Sequence, residues 1–355
     1  MTNYDIQYNI ECYRNNTEIE TVDLGGYPWI GNTMHNAFRN CQNLKSVTNI
    51  NENVVYINYA FYNCSNLVNE PIIPNNVIDM YYTFYNCSNL VNTPVIPNSV
   101  INMTGSFHSC SKIVNISSIP NSVVNMSETF TGCTSLVNAP VIPNSVINMR
   151  QTFCSCSNLV NTPVIPNSVT DMLETFFSCS NLVDAPIIPN SVINMYGTFS
   201  YCSNLVNVTV ISNSVTNMSK TFNFCSNLVN APDMSNTNNV TNMSQTFRYC
   251  QKLTGDIIIG SQIITNASNC FGDTTLNKDV YIPFEYENGV KTSTYNAFIE
   301  AGYSDEYRVH GALLIDINDE GIDLSDYEYV NVSNDITLEK YIGVGKTSII
   351  TPHLG

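Results

Sequence analysis

Apolar side chains recur along this chain at a fixed interval of twenty-three residues. Cysteines stand at positions 41, 64, 87, 110, 133, 156, 179, 202 and 225, and Cys250 follows after twenty-five residues. A Phe stands three residues before each of these cysteines, from Phe38 to Phe247. A period between about 20 and 50 residues is typical of a solenoid, in which each coil buries its apolar face only against neighbouring coils. The pattern therefore predicts a stacked array with a long surface.

Each coil carries five apolar columns, which one coil illustrates with Val123, Met126, Phe130, Cys133 and Leu136. Their spacing keeps neither a helical nor a strand period, so the coil must turn corners. We expect short strands of about two to four residues in the Leu-Val-Asn and Val-Ile-Asn-Met segments, paired in parallel between coils. Pro-Asn-Ser between them is a strong turn signal. Amide ladders are expected in the column Asn69, Asn92, Asn115, Asn138, Asn161, Asn207 and Asn230.

The extent of the repeat in the sequence predicts three regions of the chain. Residues 1–33 lack the repeat but carry Ile6, Ile10, Val22, Leu24 and Trp29, so they are expected to cover the first coil. Residues 34–271 form the solenoid, with ten coils and a partial eleventh in which Ala267 and Phe271 continue the Met and Phe columns. Residues 272–355 are expected to form a small α+β domain that caps the array and attaches it to something else. Within that domain the sequence predicts a strand over 280–286, a turn at Asn288-Gly289, a short helix over 293–301 closed by Gly302, and strand-like runs at 312–316, 329–333 and 347–351.

Charge and composition exclude several classes of protein. The net charge is −16, but residues 34–253 hold seven basic and eight acidic side chains, a net of −1. Nucleic-acid binding needs a surplus of Lys and Arg on one face, so no nucleic-acid partner is expected. No run of about 20 apolar residues exists, and the first residues have neither a basic nor an apolar leader segment. We therefore expect no membrane insertion and no signal peptide.

The sequence offers no site for catalysis, for a metal or for a cofactor. The four His residues are scattered, and no motif for a nucleophile or a phosphate appears. Cys154 and Cys156 are close together, but Cys156 belongs to the repeated column, so zinc is not expected. The run Asp316 to Gly321 begins like a calcium loop but has Tyr327 where a bidentate Glu is required, and an acidic turn is favoured. The thirteen cysteines favour reduced core thiols, with disulfides or a redox role as the alternative.

The repeated residues resemble the BspA-type leucine-rich repeats of bacterial surface proteins. The coil NTNNVTNMSQTFRYCQKL, residues 236–253, follows that family's Val-Thr-x-Met-x-x-x-Phe-x-x-Cys-x-x-Leu pattern almost throughout. The resemblance covers about residues 34–271 and implies a leucine-rich-repeat-like solenoid, mainly β, used for adhesion or recognition. The run KDVYIPFEYENGVKTSTYNAFIEAGY, residues 278–303, is similar to segments that follow such arrays in gut-bacterial and phage structural proteins.

The variable positions beside the Phe and Met columns predict a candidate ligand surface. Aromatic residues concentrate there in the second and third coils. Rigid amphipathic rings suit sugar stacking or a protein hot spot, although packing against the N-terminal cap or neutral drift would give the same picture. The predicted surface consists of Tyr59, Tyr62, Tyr81, Tyr82, Tyr85, His108 and Arg150.

Together these features predict a non-enzymatic recognition module. The first hypothesis is a phage tail or fibre-associated protein that binds a protein or glycan on the host surface through the solenoid. Its C-terminal domain would then contact other virion or surface proteins, and a homo-oligomer is possible. The alternatives are a bacterial cell-surface adhesin, placed outside the cell, and an intracellular scaffold.

Overall fold

The computed structural model describes residues 13–25, 31–208, 210–254, 256–274, 280–283, 286–287, 290–301, 309–315, 336–338, 348–350 and 352–354. Its core is one continuous file of apolar side chains that runs from the N-terminal cap to the helix near the C-terminus. In the coil of Phe130 the five predicted columns are fully buried, and the other complete coils repeat this arrangement. The solenoid predicted from the repeat is therefore confirmed, and Ala267 and Phe271 form the partial eleventh coil, also buried.

The phenylalanine rings form one ladder along the axis of the array. Successive rings from Phe38 to Phe271 are nearly parallel, with ring centroids 5.1 to 5.8 Å apart. Tyr13 stacks on Phe38 at one end, at 5.2 Å, and Phe298 stacks on Phe271 at the other, at 6.1 Å. Both ends of the ladder are thus continued by residues from outside the repeats.

The turn segment, which we define as the residues from the Met to the Cys of each coil, is built on a one-way pattern of hydrogen bonds. In the segment 126–133, the N–H groups of Met126, Glu128, Phe130 and Gly132 donate to carbonyls of the following coil at 2.7–3.0 Å. The N–H groups of Thr129, Thr131 and Cys133 donate to carbonyls three residues earlier in the same coil, and that of Ser127 donates to Oδ1 of Asn125. Glu128 and Gly132 have positive φ, 56° and 72°, and the corresponding residues of the other coils are also left-handed. This geometry turns alternate N–H groups toward one end of the solenoid.

The predicted strands are shorter than expected through most of the array. The Val-Ile-Asn-Met segments meet in single parallel bridges at the residue before the Met, such as Asn125 with Asn148. The Leu-Val-Asn segments pair in the same way, for example Asn138 with Asn161. Prolines flank the extended segment between these rows and lack an N–H group, and the turn segment breaks pairing on the other side, so the ladders do not lengthen.

Regular strands occur at the two ends of the array and beyond it. The parallel pair β1 (Thr21–Asp23) and β2 (Ser46–Thr48) joins the N-terminal cap to the first coils. Val22 and Leu24 are buried, whereas Ile6, Ile10 and Trp29 lie outside the described residues. A four-stranded sheet has the order β3 (Ile257–Ile258), β4 (Val280–Pro283), β7 (Val309–Ile315) and β9 (Ser348–Ile350). Its first three strands are parallel and β9 is antiparallel to β7, so strand pairing connects the last coils to the C-terminal region.

The C-terminal region contains further short strands and a helix. The hairpin β5 (Tyr286–Glu287) and β6 (Val290–Lys291) brackets the expected turn, and α1 (Ser293–Glu300) follows, one residue shorter than predicted. Thr292 caps α1 by accepting a hydrogen bond from the N–H of Tyr295. Strand β8 (Ile336–Leu338) pairs with β10 (Pro352–Leu354) in antiparallel fashion. Gly302, the run Asp316–Gly321 and the predicted strand at 329–333 lie outside the described residues, and the three domain boundaries stay a prediction.

Two buried columns were not anticipated. The residue before each Phe is Ser or Thr in most coils and is fully buried there, and its hydroxyl donates to the Met carbonyl of the preceding coil, as Thr152 does to Met126 at 2.9 Å. An Ile column from Ile73 to Ile188, in the Pro-flanked segment, is also buried. The amide ladders are only partly as predicted, because Asn115 donates to Asn92 and Asn161 to Asn138 in pairs.

Candidate functional site

The predicted tyrosine surface contains a stacked column on the position after each Phe. Tyr62 and Tyr85 lie with ring centroids 4.4 Å apart and planes within 7°. The guanidinium of Arg39 covers the other face of Tyr62 at 4.6 Å, and the ring of His108 covers the other face of Tyr85 at 4.8 Å. Equivalent positions of successive coils lie directly above one another. Four neighbouring repeats therefore build a ladder in which both faces of each of the two tyrosine rings are covered.

A second column lies two residues before the Phe, at a left-handed position of the turn segment. Tyr59 and Tyr82 occupy it with φ of 56° and 48°, and their rings stack at 5.9 Å. Tyr81 meets both rings edge to face, at 5.3 and 4.7 Å. The structure therefore brings the five predicted tyrosines and His108 into one cluster, which we call the tyrosine surface. All six are partly exposed.

A glycine in the next coil leaves the space into which the ring of Tyr82 extends. Gly105 occupies the same column with φ of 58°, and a Cβ placed there would lie 2.5 Å from Cε1 of Tyr82. The ring thus extends over Gly105, and its hydroxyl donates to Oε2 of Glu128, two coils away, at 2.5 Å. This bond fixes the ring across three coils.

Burial and this bond also set the ionisation of the cluster. Partial burial raises the pKa of Tyr82, and the hydrogen bond to Glu128 raises it further. Partial burial likewise raises the pKa of Tyr59 and of Tyr85. Burial lowers the pKa of His108 against an opposing effect of Glu128, so the imidazole is neutral at pH 7. At pH 7 the phenols of Tyr59, Tyr82 and Tyr85 are therefore protonated and the imidazole of His108 is neutral.

Stacking changes what this surface can offer a ligand. Both faces of Tyr62 and of Tyr85 are covered, so a sugar ring has no free face on either one. What remains accessible is a row of ring edges and hydroxyl groups, which suits hydrogen bonding and edge contacts with a partner. This geometry excludes the sugar stacking on these two rings that the sequence had suggested as one use of the surface.

Arg150 stands apart from the tyrosine surface. It is exposed, and its backbone N–H donates to Oδ1 of Asn148 at 2.9 Å, which is a local turn contact. Among the described residues no hydrogen bond or ring contact joins its side chain to the tyrosines. Arg150 is thus near the cluster along the array but is not part of it.

The sequence analysis missed a second aromatic ladder near the C-terminal end of the array. Tyr201, Phe224 and Tyr249 stand two residues after the Phe, and their rings stack at 4.5 and 4.1 Å. All three have positive φ, a conformation that costs a side-chain-bearing residue roughly 1–2 kcal/mol. With Ser178, Ser203 and other polar residues they line a groove of about 500 Å³. The available signal was the residue type, because the first coils hold Asn at this position, the type that tolerates a positive φ best after Gly.

The cysteine column makes hydrogen bonds as well as apolar contacts. From Cys64 to Cys250 each column thiol donates to the Phe carbonyl of the preceding coil, as Cys156 does to Phe130 at 3.1 Å, and Cys41 donates to the carbonyl of Tyr13. Burial raises the pKa of Cys156 and of the other column thiols for which a shift is resolved, so they stay protonated and unreactive. The twelve described cysteines are free thiols, and the described side chains form no cluster able to hold a metal ion.

Stacked coils, single-residue parallel bridges and continuous Phe, Met, Cys and Leu files define a leucine-rich-repeat solenoid. The family model of the BspA type leucine rich repeat region matches the chain in six copies, over residues 9–136, 80–196, 104–229 and 186–302. These matches cover more than half of the chain, which therefore belongs to this family.

Other comparisons add little to this assignment. A crystal structure of a leucine-rich repeat protein from Bacteroides ovatus ATCC 8483 is similar, with 20% sequence identity and a TM-score of 0.44. The similarity covers 77% of this chain and 91% of that chain. No curated protein matches the chain. Within the described residues, no helix has the length and hydropathy that crossing a bilayer requires.

Proposed function

We propose that this chain is a non-enzymatic recognition module that binds a protein or a glycan on a cell surface through its tyrosine surface. The observation that carries the proposal is the clustering of five tyrosines and His108 over neighbouring coils, all partly exposed. Tyr is among the residues most enriched at protein hot spots because it gives contact area at low entropic cost. The ring stacking and the bond from Tyr82 to Glu128 hold the rings in place before binding, which reduces that cost further.

Covered ring faces favour a protein partner over a glycan at this surface. A glycan site of the stacking kind needs an open aromatic face, and Tyr62 and Tyr85 have none. Hydroxyl groups in a row can instead accept and donate hydrogen bonds along an extended partner, and the ring edges can make apolar contacts with it. Glycan binding through the hydroxyl groups alone is the second candidate.

The proposed setting is a phage tail or fibre, with the C-terminal region as the attachment end. The likeness of residues 278–303 to segments found after such arrays in gut-bacterial and phage structural proteins supports this setting. Pairing of β3 with β4 supports a firm connection between array and attachment end. A bacterial surface adhesin is the alternative, and an intracellular scaffold is a third. Mass spectrometry of purified phage particles and of shaved bacterial surface proteins would separate these settings.

Binding to cells can be tested with two sets of variants. Replacing Tyr62, Tyr82 and Tyr85 by Ser removes the ring edges, whereas replacing the same three by Phe keeps the stack and removes only the hydroxyl groups. We expect the Ser set to abolish cell binding and the Phe set to weaken it, with the thermal transition followed by circular dichroism. The matched control replaces Tyr201 and Tyr249 by Ser at the other end of the array.

The outcomes distinguish the possible sites. Full binding by the Ser set, in a chain that melts as the parent does, would place the ligand site elsewhere on the solenoid. Loss of binding in the Tyr201 and Tyr249 control alone would move it to the second aromatic ladder.

A further inference from the structure

A stripe of exposed branched aliphatic side chains runs along the Pro-flanked segment of the coils. The outward residue of each Pro-x-Ile-Pro segment, or of its equivalent near residue 210, is a Val or an Ile in six of seven successive coils. These residues, with their exposed fractions, are Ile72 83%, Val95 79%, Val141 86%, Val164 88%, Ile187 77% and Val210 50%. Scattered apolar residues on a surface are ordinary, but a file of them in six of seven successive coils is not.

Folding alone does not account for this stripe. The inward Ile of the same segments is buried, with an exposed fraction of only 5–8% in the coils from Ile73 to Ile188. The core is therefore filled without the outward residue. Ser118 occupies the outward position of one coil, and its neighbour Ile119 is still buried. A polar residue is therefore compatible with the coil, and six aliphatic ones need another reason.

We propose that this stripe is the contact surface of a homodimer, in which a second copy of the chain packs its own stripe against the first. The apolar surface available is of the right size. Six side chains on the order of 100 Å² each give roughly 600 Å². A further column of valines, four residues earlier in each coil, is 37–46% exposed from Val68 to Val206 and adds to this. A stable interface needs about 800 Å² from each partner.

Charge and shape favour a second copy over other occupants. The outward column holds no charged residue, and the array as a whole is nearly neutral, so two identical surfaces do not repel each other. Branched side chains are stiff and lose little freedom on contact. A stripe that repeats by one coil also matches itself in spacing, as a two-fold interface requires. A lipid surface would instead favour flanking Lys, Arg or Trp residues, and the column has none.

The position of the two-fold axis follows from the extent of the stripe. Val141 is the fourth of the seven outward positions, so the overlap of two copies is greatest when Val141 of one faces Val141 of the other. This holds whether the two solenoids run parallel or antiparallel. Val141 and Val164 are also the two most exposed members of the stripe, which places the centre of the contact there.

Sedimentation of the full chain tests the proposal. We expect the parent to sediment as a dimer at micromolar concentration, and Val141→Asp with Val164→Asp to raise the dimer dissociation constant by about thirtyfold or more. The matched control, Asn144→Asp with Asn167→Asp, adds the same charge at exposed positions of the same two coils and should leave the dimer intact. Val141→Cys should form a disulfide-linked dimer under mild oxidation.

Three results would overturn the proposal. These are a parent that stays monomeric at all accessible concentrations, a dimer that survives both Asp substitutions, and a Val141→Cys chain that does not cross-link while the parent is dimeric. Binding of a monomeric parent to phosphatidylcholine vesicles, lost in the Asp variant, would assign the stripe to a lipid surface instead. Circular dichroism melts of each variant show whether folding is retained.

Discussion

The central phenylalanine of the ladder gives the sharpest test of how the array is stabilised. Phe153 is fully buried and stacks between Phe130 at 5.8 Å and Phe176 at 5.7 Å. Phe153→Ala would remove the ring and both stacking contacts in the middle of the solenoid. Phe153→Leu is the matched control, because it keeps most of the buried volume while it removes the stacking.

The expected cost follows from burial and ring geometry. A fully buried Phe→Ala change costs about 3–5 kcal/mol, because it adds a cavity to the lost transfer free energy. The two stacked pairs contribute about 0.5–1.5 kcal/mol each beyond their area, so Phe153→Leu should cost roughly 1–3 kcal/mol. Since each coil touches only its neighbours, a defect in the middle also weakens the coupling between the two halves of the array.

Urea unfolding followed by circular dichroism measures both effects. We expect Phe153→Ala to lower the free energy of unfolding by the stated amount and to broaden the transition or split it into two. Phe153→Leu should keep a single transition. A loss below about 1 kcal/mol for the Ala variant would refute the reasoning that burial of this ring and its two stacking contacts stabilise the array.

Two further changes test local contacts. Gly105→Ala should cost more stability than Gly132→Ala in thermal melts, because both glycines have positive φ but only a Cβ at Gly105 would clash with the ring of Tyr82, at 2.5 Å; equal shifts would rule the clash out. Cys156→Ser should be more stable than Cys156→Ala by about 0.5–1.5 kcal/mol, because the hydroxyl can still donate to the carbonyl of Phe130. If the site accepts only apolar groups, urea titrations will show the opposite order.

Sequence periodicity was sufficient to predict the solenoid and its five apolar columns. Repetition at a fixed interval leaves few alternative folds, because residues of one type in one column must have the same environment in every coil. The buried column of Thr152 could not be found this way, because a Ser or Thr that bonds to a neighbouring coil has the same composition as one facing water. The stripe at Val141 was missed because each Pro-flanked segment holds two adjacent aliphatic residues. The sequence does not tell which of the two points inward.

The candidate site was only partly predictable. Counting aromatic residues located the cluster of Tyr59, Tyr82 and their neighbours correctly. The coverage of the faces of Tyr62 and Tyr85 depends on ring orientation, which a sequence does not specify. The reach of Tyr82 to Glu128 depends on the space above Gly105, which only the packed coils reveal.

The one-way hydrogen bonds of the turn segments make the two ends of the solenoid chemically different. In its turn segment the first coil presents carbonyl oxygens outward, and the N-terminal residues meet one of them with a donor, the N–H of Asn15 bound to the carbonyl of Arg39 at 2.8 Å. The turn segment of the last coil presents amide hydrogens, so a structure that covers that segment must bring acceptors. The turn segments therefore call for different caps at the two ends, and the turn segments of two arrays match one another only when the arrays join head to tail.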